Sequence, residues 1–183
     1  MSNLFGSLTT PRLLLSPPRV ADIPTIVELL NDHTVSRYTA HIPFPYTEDD
    51  AVYWVNLANR SRRDGSKQVF AIRDRETEQL LGGIGLHIDD KLKIAEIGYW
   101  IGKPYWGKGL VSEAAAAMIR FGFEELGLRK IEAHHIVANA GSGRVMEKNG
   151  MQREGLLRQH MLRDGEAYDV AVYGILAAEF ANT

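Results

Sequence analysis

Gly107 and Gly109 stand two apart in Tyr105-Trp-Gly-Lys-Gly-Leu-Val-Ser-Glu113. An aromatic, β-branched run precedes them and an alanine-rich run follows. The pattern reads as a strand, a glycine turn and a helix. A helix N-terminus leaves amide N–H groups unpaired and carries partial positive charge. Glycines at such a mouth keep side chains off those donors. The chemistry on offer is capture of a phosphoryl group by the backbone of Trp106, Gly107, Lys108, Gly109, Leu110 and Val111. Lys108 either adds charge outside the turn or is merely exposed. The run is not a dinucleotide fingerprint, because Ser112 takes the third glycine's place, and no Gly-Lys-Ser/Thr closes a P-loop. An ordinary loop is the competing account, and the flanks weigh against it. Ala95-Glu-Ile-Gly-Tyr-Trp-Ile101 has the composition of a strand. Val111, Ala115, Met118 and Gly122 make a small-residue helix face, and Gly127 suits a helix stop.

The elements that position this cradle follow from periodicity and punctuation. Residues 8–15 read as a first strand, halted by Pro17-Pro18. Asp22 is a candidate cap for a helix through Asn31. Residues 34–45 are irregular, and Thr47 then caps a helix ending near Asp64-Gly65. Strands are expected over 68–73, over 80–88 with three glycine interruptions, and over 93–101. A helix over about 110–126 crosses to a strand at 130–138, as a parallel pair requires. A short helix runs from about Ser142 to Lys148, and Asp164-Gly165 makes a hairpin between 156–162 and 168–176. The order β-αα-βββ-α-β-α-ββ suits one mixed sheet with helices on both faces.

A chain of 183 residues suits a single domain over 1–183. Its net charge of −2 and the lack of a Lys/Arg-rich block disfavour direct nucleic-acid binding, while contact with a basic protein tail is compatible. The Arg60-to-Arg63 cluster reads as a solvated helix end. Without cysteine there is no disulfide, thiolate metal site or Cys-bound acyl intermediate. No His/Asp/Glu spacing suggests a metal site. No leader pattern or membrane-length apolar run occurs, so a cytoplasmic protein without membrane association, monomer or homodimer, is expected.

Tyr105, Trp106, Gly107, Lys108, Gly109, Ser112, Glu113 and Ala114 together resemble the acetyl-CoA signature of the GNAT N-acetyltransferases, in the form used by the RimJ/RimL-type branch. Asn139-Ala-Gly-Ser142 and Val145-Met-Glu-Lys-Asn-Gly150, with Met151 in a usual Phe slot, match a second segment of that branch. Leu8-Thr-Thr-Pro-Arg-Leu-Leu-Leu15 and the stretch from Asp164-Gly-Glu through Tyr173 to Glu179-Phe180 are similar to it too. The resemblance implies a mixed α/β fold in one domain, with a mostly antiparallel sheet of six to seven strands and helices on both faces. It implies that the two central parallel strands splay apart to seat the cofactor arm. It also implies acetyl-CoA as co-substrate and direct attack by a primary amine in a ternary complex. The N-terminal α-amine of a protein or peptide, possibly ribosomal, is the expected acceptor. A small-molecule amine (amino acid, polyamine or antibiotic) and a non-catalytic acyl-CoA-binding module are the alternatives.

On that implication, backbone N–H groups near Gly98 or Tyr99 polarise the thioester carbonyl, and Ile101 is a further backbone contact. A fully paired central strand would offer none. Glu96, in an otherwise apolar strand on the face of Gly98 and Trp100, is the expected base, its pKa raised by partial desolvation. The alternative is a structural pair with a neighbouring strand's Lys or Arg, such as Lys130. Ser142 is expected to serve the coenzyme sulfur or to cap the short helix, and Asn139 to bond the pantetheine amides. Met146 occupies the slot where many members carry a proton-donating tyrosine. His87, His134 and His135 read as structural, with one of the last two approaching the cleft. Tyr38, His41, Phe44, Tyr46 and Trp54 either line the acceptor site or form a small core of their own, with the 164–165 hairpin closing the other side.

Overall fold

A computed structural model describes residues 6–39 and 42–181. Strands β1 (Leu8–Thr9) and β2 (Leu13–Ser16) precede helices α1 (Ile23–Leu30), α2 (His33–Ser36) and α3 (Glu48–Asp64). Then come β3 (Lys67–Asp74), β4 (Leu80–Asp89), β5 (Ile94–Ile101) and α4 (Leu110–Glu124). The chain ends with β6 (Lys130–Ile136), α5 (Ala140–Lys148), β7 (Gln152–Arg163), β8 (Glu166–Leu176) and α6 (Ala177–Phe180). The strands form one sheet in the order β1-β2-β3-β4-β5-β6-β8-β7. Among the described residues only the β5–β6 pair is parallel.

The sheet has eight strands rather than six to seven. The expected first strand folds into a hairpin at Thr10-Pro11-Arg12. Pro11 has no N–H to give a ladder. The Thr10 amide donates to the Leu13 carbonyl at 2.9 Å, and the Leu13 amide to Thr10 Oγ1 at 2.9 Å. The second difference is β4, which runs unbroken through Gly82, Gly83 and Gly85. Those glycines make room: a Cβ on Gly83 would stand 2.6 Å from Trp100 Nε1.

Side-chain alternation along β5 splits the core in two. Ala95, Ile97 and Ile101 face α4, with Leu13, Phe70, Leu86, Met118 and Ile119. Trp100 faces α1 and α3, with Ile26, Leu30, Tyr46 and Val55. Thr47 caps α3 through a reciprocal bond pattern with Asp50, and Gly65 ends it at φ +79. Asp22 does not cap α1 with its side chain. Its carboxylate takes both terminal nitrogens of the buried Arg73, at 2.8 and 2.7 Å. Arg62, expected in solvent, is 4% exposed. Its guanidinium lies 4.6 Å from the Phe70 ring centroid, and neither terminal nitrogen has a partner among the described residues.

Candidate active site

The β5–β6 pairing lasts three residues, Ile94↔Lys130, Ala95↔Ile131 and Glu96↔Glu132, and then stops. Beyond Glu96 the strands diverge, and β6 pairs on with β8 alone. Backbone direction along β5 follows from the bond of the Gly102 amide to the Leu81 carbonyl, 2.9 Å. Hydrogen-bonded and non-bonded pairs alternate along an antiparallel ladder. The register Gly83↔Trp100 and Gly85↔Gly98 therefore turns those two residues' amides toward β4. Tyr99 and Ile101 point theirs into the gap. The Gly98 amide, one of the expected donors, faces β4 instead. Gly98 contributes space, since nothing lies within 4 Å of where its Cβ would stand.

Next to the gap, the chain passes through a short turn at Lys103–Tyr105 into the glycine loop. Gly107 and Gly109 have φ of +72 and +73, a region where a β-carbon is strained. Nothing within 4 Å would meet a Cβ on Gly107, and at Gly109 only Arg12 Nη2 approaches, at 3.7 Å. The first helical bond of α4 runs from the Glu113 amide to the Gly109 carbonyl at 3.1 Å. The amides of Leu110, Val111 and Ser112 precede it and have no partner within the helix. The Trp106 amide, also an expected anchor, already bonds the Lys103 carbonyl at 3.2 Å. Its indole N–H donates to the Ile101 carbonyl at 2.9 Å, closing the far end of the gap. Lys108 lies over the Tyr105 ring, Nζ 5.7 Å from its centroid. Asn149 Nδ2 reaches from α5 to the Ser112 carbonyl at 3.3 Å, bracing the mouth from outside. The loop thus has the open glycines and unpaired donors that a diphosphate requires.

Glu96 is the last paired residue before the gap. Its side chain is 50% exposed, not desolvated, and its Oε1 lies 3.3 Å from His134 Nδ1. Lys130, the proposed structural partner, is taken by Glu132 at 2.8 Å and Glu154 at 2.7 Å. His87 stands directly opposite Glu96 in the β4–β5 register. His135 points to the other face and is buried against Tyr173, ring centroids 5.5 Å apart.

On the α4 face, the Tyr99 hydroxyl meets Ser142 Oγ at 2.8 Å. Burial pushes the Tyr99 phenol up to about 12, with the Ser142 bond opposing the shift. Met146 of the short helix is buried and has no proton to give, which leaves this phenol as the donor candidate on this face. Sequence reasoning weighed Tyr99 for its backbone alone. The available signal was strand parity, which sends its ring to the opposite face from Glu96. Ser142 is free for this contact because it is not the cap. Asn139 caps α5, its Oδ1 accepting from the Ser142 amide at 3.2 Å. That commits the Asn139 oxygen once expected to serve the pantetheine.

Of the aromatic set, Tyr46 and Trp54 pack in the second core, Trp54 edge-on to Trp100 with centroids 6.2 Å apart. Phe44 is exposed against His33 at 4.8 Å, and His41 lies outside the described residues. The 164–165 hairpin does reach this segment: Asp164 Oδ2 is 3.1 Å from His33 Nε2, and Arg163 bonds the Ile42 carbonyl at 2.5 Å. Among the described residues there is no cluster of metal-ligating side chains, and no helix is long and apolar enough to cross a membrane.

Splayed parallel strands beside a glycine-opened helix are the arrangement that the family resemblance implies. Residues 12–152 match the acetyltransferase (GNAT) domain model, and the chain belongs to that family. It is 32% identical over 177 residues to the uncharacterized N-acetyltransferase p20 of Bacillus licheniformis, covering 96% of this chain and 99% of that one. It is 26% identical over 117 residues to the [ribosomal protein uS5]-alanine N-acetyltransferase of Escherichia coli, covering 63% of this chain and 60% of the relative. The spermidine N-acetyltransferase of Vibrio cholerae, solved with CoA and spermine, superposes with a TM-score of 0.81 at 25% identity, over 94% of this chain and all 100% of that one.

Proposed function

We propose that this N-acetyltransferase moves the acetyl group of acetyl-CoA onto the N-terminal α-amine of a protein or peptide, a ribosomal protein being the first class to test. The observation that carries this reading is the opening of the β5–β6 pair immediately after Glu96, beside the unpaired amides of Leu110, Val111 and Ser112. The amine nitrogen attacks the thioester carbonyl carbon in a ternary complex. A C–N bond forms, the C–S bond breaks, and the coenzyme leaves as its thiol. Tyr99 and Ile101 amides polarise the carbonyl, a contribution that is often the largest in such reactions. Glu96, with His134 beside it, takes the proton shed by the amine, directly or through one water. The Tyr99–Ser142 pair returns a proton to the thiolate. Base and donor lie on opposite faces of β5, so neither neutralises the other. The uS5-alanine relative supports a protein acceptor. The spermidine relative supports a polyamine as the second reading.

Incubation of the protein and acetyl-CoA with a peptide and metabolite library, read by mass spectrometry, tests this. Acetylated peptide N-termini are expected. Acetylated polyamines or amino acids alone would favour the second reading, and CoA binding without turnover would leave a binding module. Glu96→Gln is expected to lower kcat about a hundredfold while CoA affinity holds. Full activity across pH in that variant would remove Glu96 as the base.

A further inference from the structure

We infer that Arg12, in the turn between β1 and β2, is a positioning residue for the coenzyme's diphosphate. It cancels the charge of Glu113 at the mouth of α4, pins the glycine loop and turns its remaining nitrogen toward the phosphates. The inference rests on the coenzyme reading above. Glu113 lies in the first turn of α4, and an uncompensated carboxylate there would repel an incoming dianion. Like charges a few ångströms apart repel, and bound counter-charge or salt relieves that repulsion. Arg12 Nε donates to Glu113 Oε2 at 2.6 Å, and the Arg12 amide to Oε1 at 2.9 Å. Thr10 Oγ1 adds a bond to Oε1 at 2.6 Å. Burial alone would raise the Glu113 pKa, but the bonds from Thr10 and Arg12 and the guanidinium charge together hold it below the usual carboxylate range. The carboxylate is thus fully engaged before any ligand arrives.

The same guanidinium grips the loop. Arg12 Nη1 donates to the Lys108 carbonyl at 2.9 Å. Lys108 sits between two glycines at positive φ, where the backbone has most freedom to lose. Nη2 makes no hydrogen bond among the described residues and stands 3.7 Å from where a Gly109 Cβ would be. It therefore borders the space the glycines leave open. Arginine suits this task and lysine does not: a planar fork serves a carboxylate, a carbonyl and a phosphoryl oxygen at once, whereas an ammonium is a point charge.

Calorimetry with CoA and dephospho-CoA, together with turnover of acetyl-CoA and S-acetylpantetheine, tests the inference. Wild-type protein that fails to bind CoA would overturn the coenzyme reading itself, whatever Arg12 does. With binding established, Arg12→Gln is expected to raise the CoA Kd and the acetyl-CoA KM by about tenfold or more, with kcat changed far less. The KM for S-acetylpantetheine, which lacks the diphosphate, is expected to hold. The double variant Arg12→Gln/Glu113→Gln should bind CoA better than Arg12→Gln alone, because the repelling charge has gone. Arg12→Lys keeps the charge and decides the matter if the glutamine variant does not fold; its affinity should still fall. Wild-type CoA affinity in both variants, an equal loss with S-acetylpantetheine, or a loss that vanishes with dephospho-CoA would each overturn the assignment.

Discussion

Gly109 holds φ +73 as the N-cap of α4. Valine there would carry a left-handed penalty of about 1–2 kcal/mol and project its branches beside Arg12 and the unpaired amides. Gly109→Val is therefore expected to weaken CoA binding by on the order of tenfold or more, with the unfolding temperature lowered by roughly 2–8 °C and the fold retained. Equal affinity in calorimetry would remove the anchor argument. Tyr99 makes a second residue-scale prediction. Its phenol, like that of Tyr46, is pushed by burial up to about 12 from an ordinary value of 10.0. The fold thus favours the neutral phenol. That stability is fully present below pH 10 and is lost as pH rises toward 12. Tyr99→Phe and Tyr46→Phe should each flatten the alkaline limb of a stability-against-pH curve, and Tyr99→Phe should also lower kcat by about tenfold or more. An unchanged limb in both variants would contradict the burial assigned to these rings.

The elements show which local rules held and which tertiary context overrode. The Thr47–Asp50 cap, the Gly65 stop and the Asp164-Gly165 turn all form as their side chains and glycines dictate. Each is a short-range signal whose partners lie within three residues. Asp22 also read as a cap, yet its carboxylate goes to Arg73, 51 positions away. Nothing local distinguishes those two uses of an aspartate. The Arg60-to-Arg63 cluster read as a wet helix end, but packing of α3 against β3 buries one of its arginines. Among the described residues Arg62 stacks on Phe70 without an anionic partner, and a buried cation of that kind is costly. Arg62→Met keeps the stem's packing and removes the charge. It should raise stability by about 1 kcal/mol, or roughly 2–4 °C in unfolding temperature. A clear fall in thermal melts would mean that the guanidinium is compensated in solution.

Over the whole molecule, the site straddles the place where the sheet divides. A ligand that fills it bridges β5, α4 and α5 and should stabilise the fold by mass action. At a hundred times its Kd, CoA is expected to add about 2.7 kcal/mol, and ATP or NAD at the same concentration less. Larger shifts from ATP or NAD would point to a different ligand. The family, most of the order of elements and the glycine turn before α4 were legible in the chain, whereas the β1–β2 hairpin and the short helices α2 and α6 were not. Each legible feature rests on spacing within short segments, several of them for the family, where backbone periodicity and glycine's freedom act directly. The pairing of Glu96 with His134, the meeting of Tyr99 with Ser142 and the grip of Arg12 on Glu113 were not. They join residues 38, 43 and 101 positions apart. Such contacts exist only once the sheet has its register and the parallel strands have parted, so no local pattern encodes them. The sequence by itself determined a glycine-opened helix mouth with free amides. Only the tertiary structure decided which acids, phenols and cations would meet one another, because side-chain proximity across a sheet is set by strand order rather than by order along the chain.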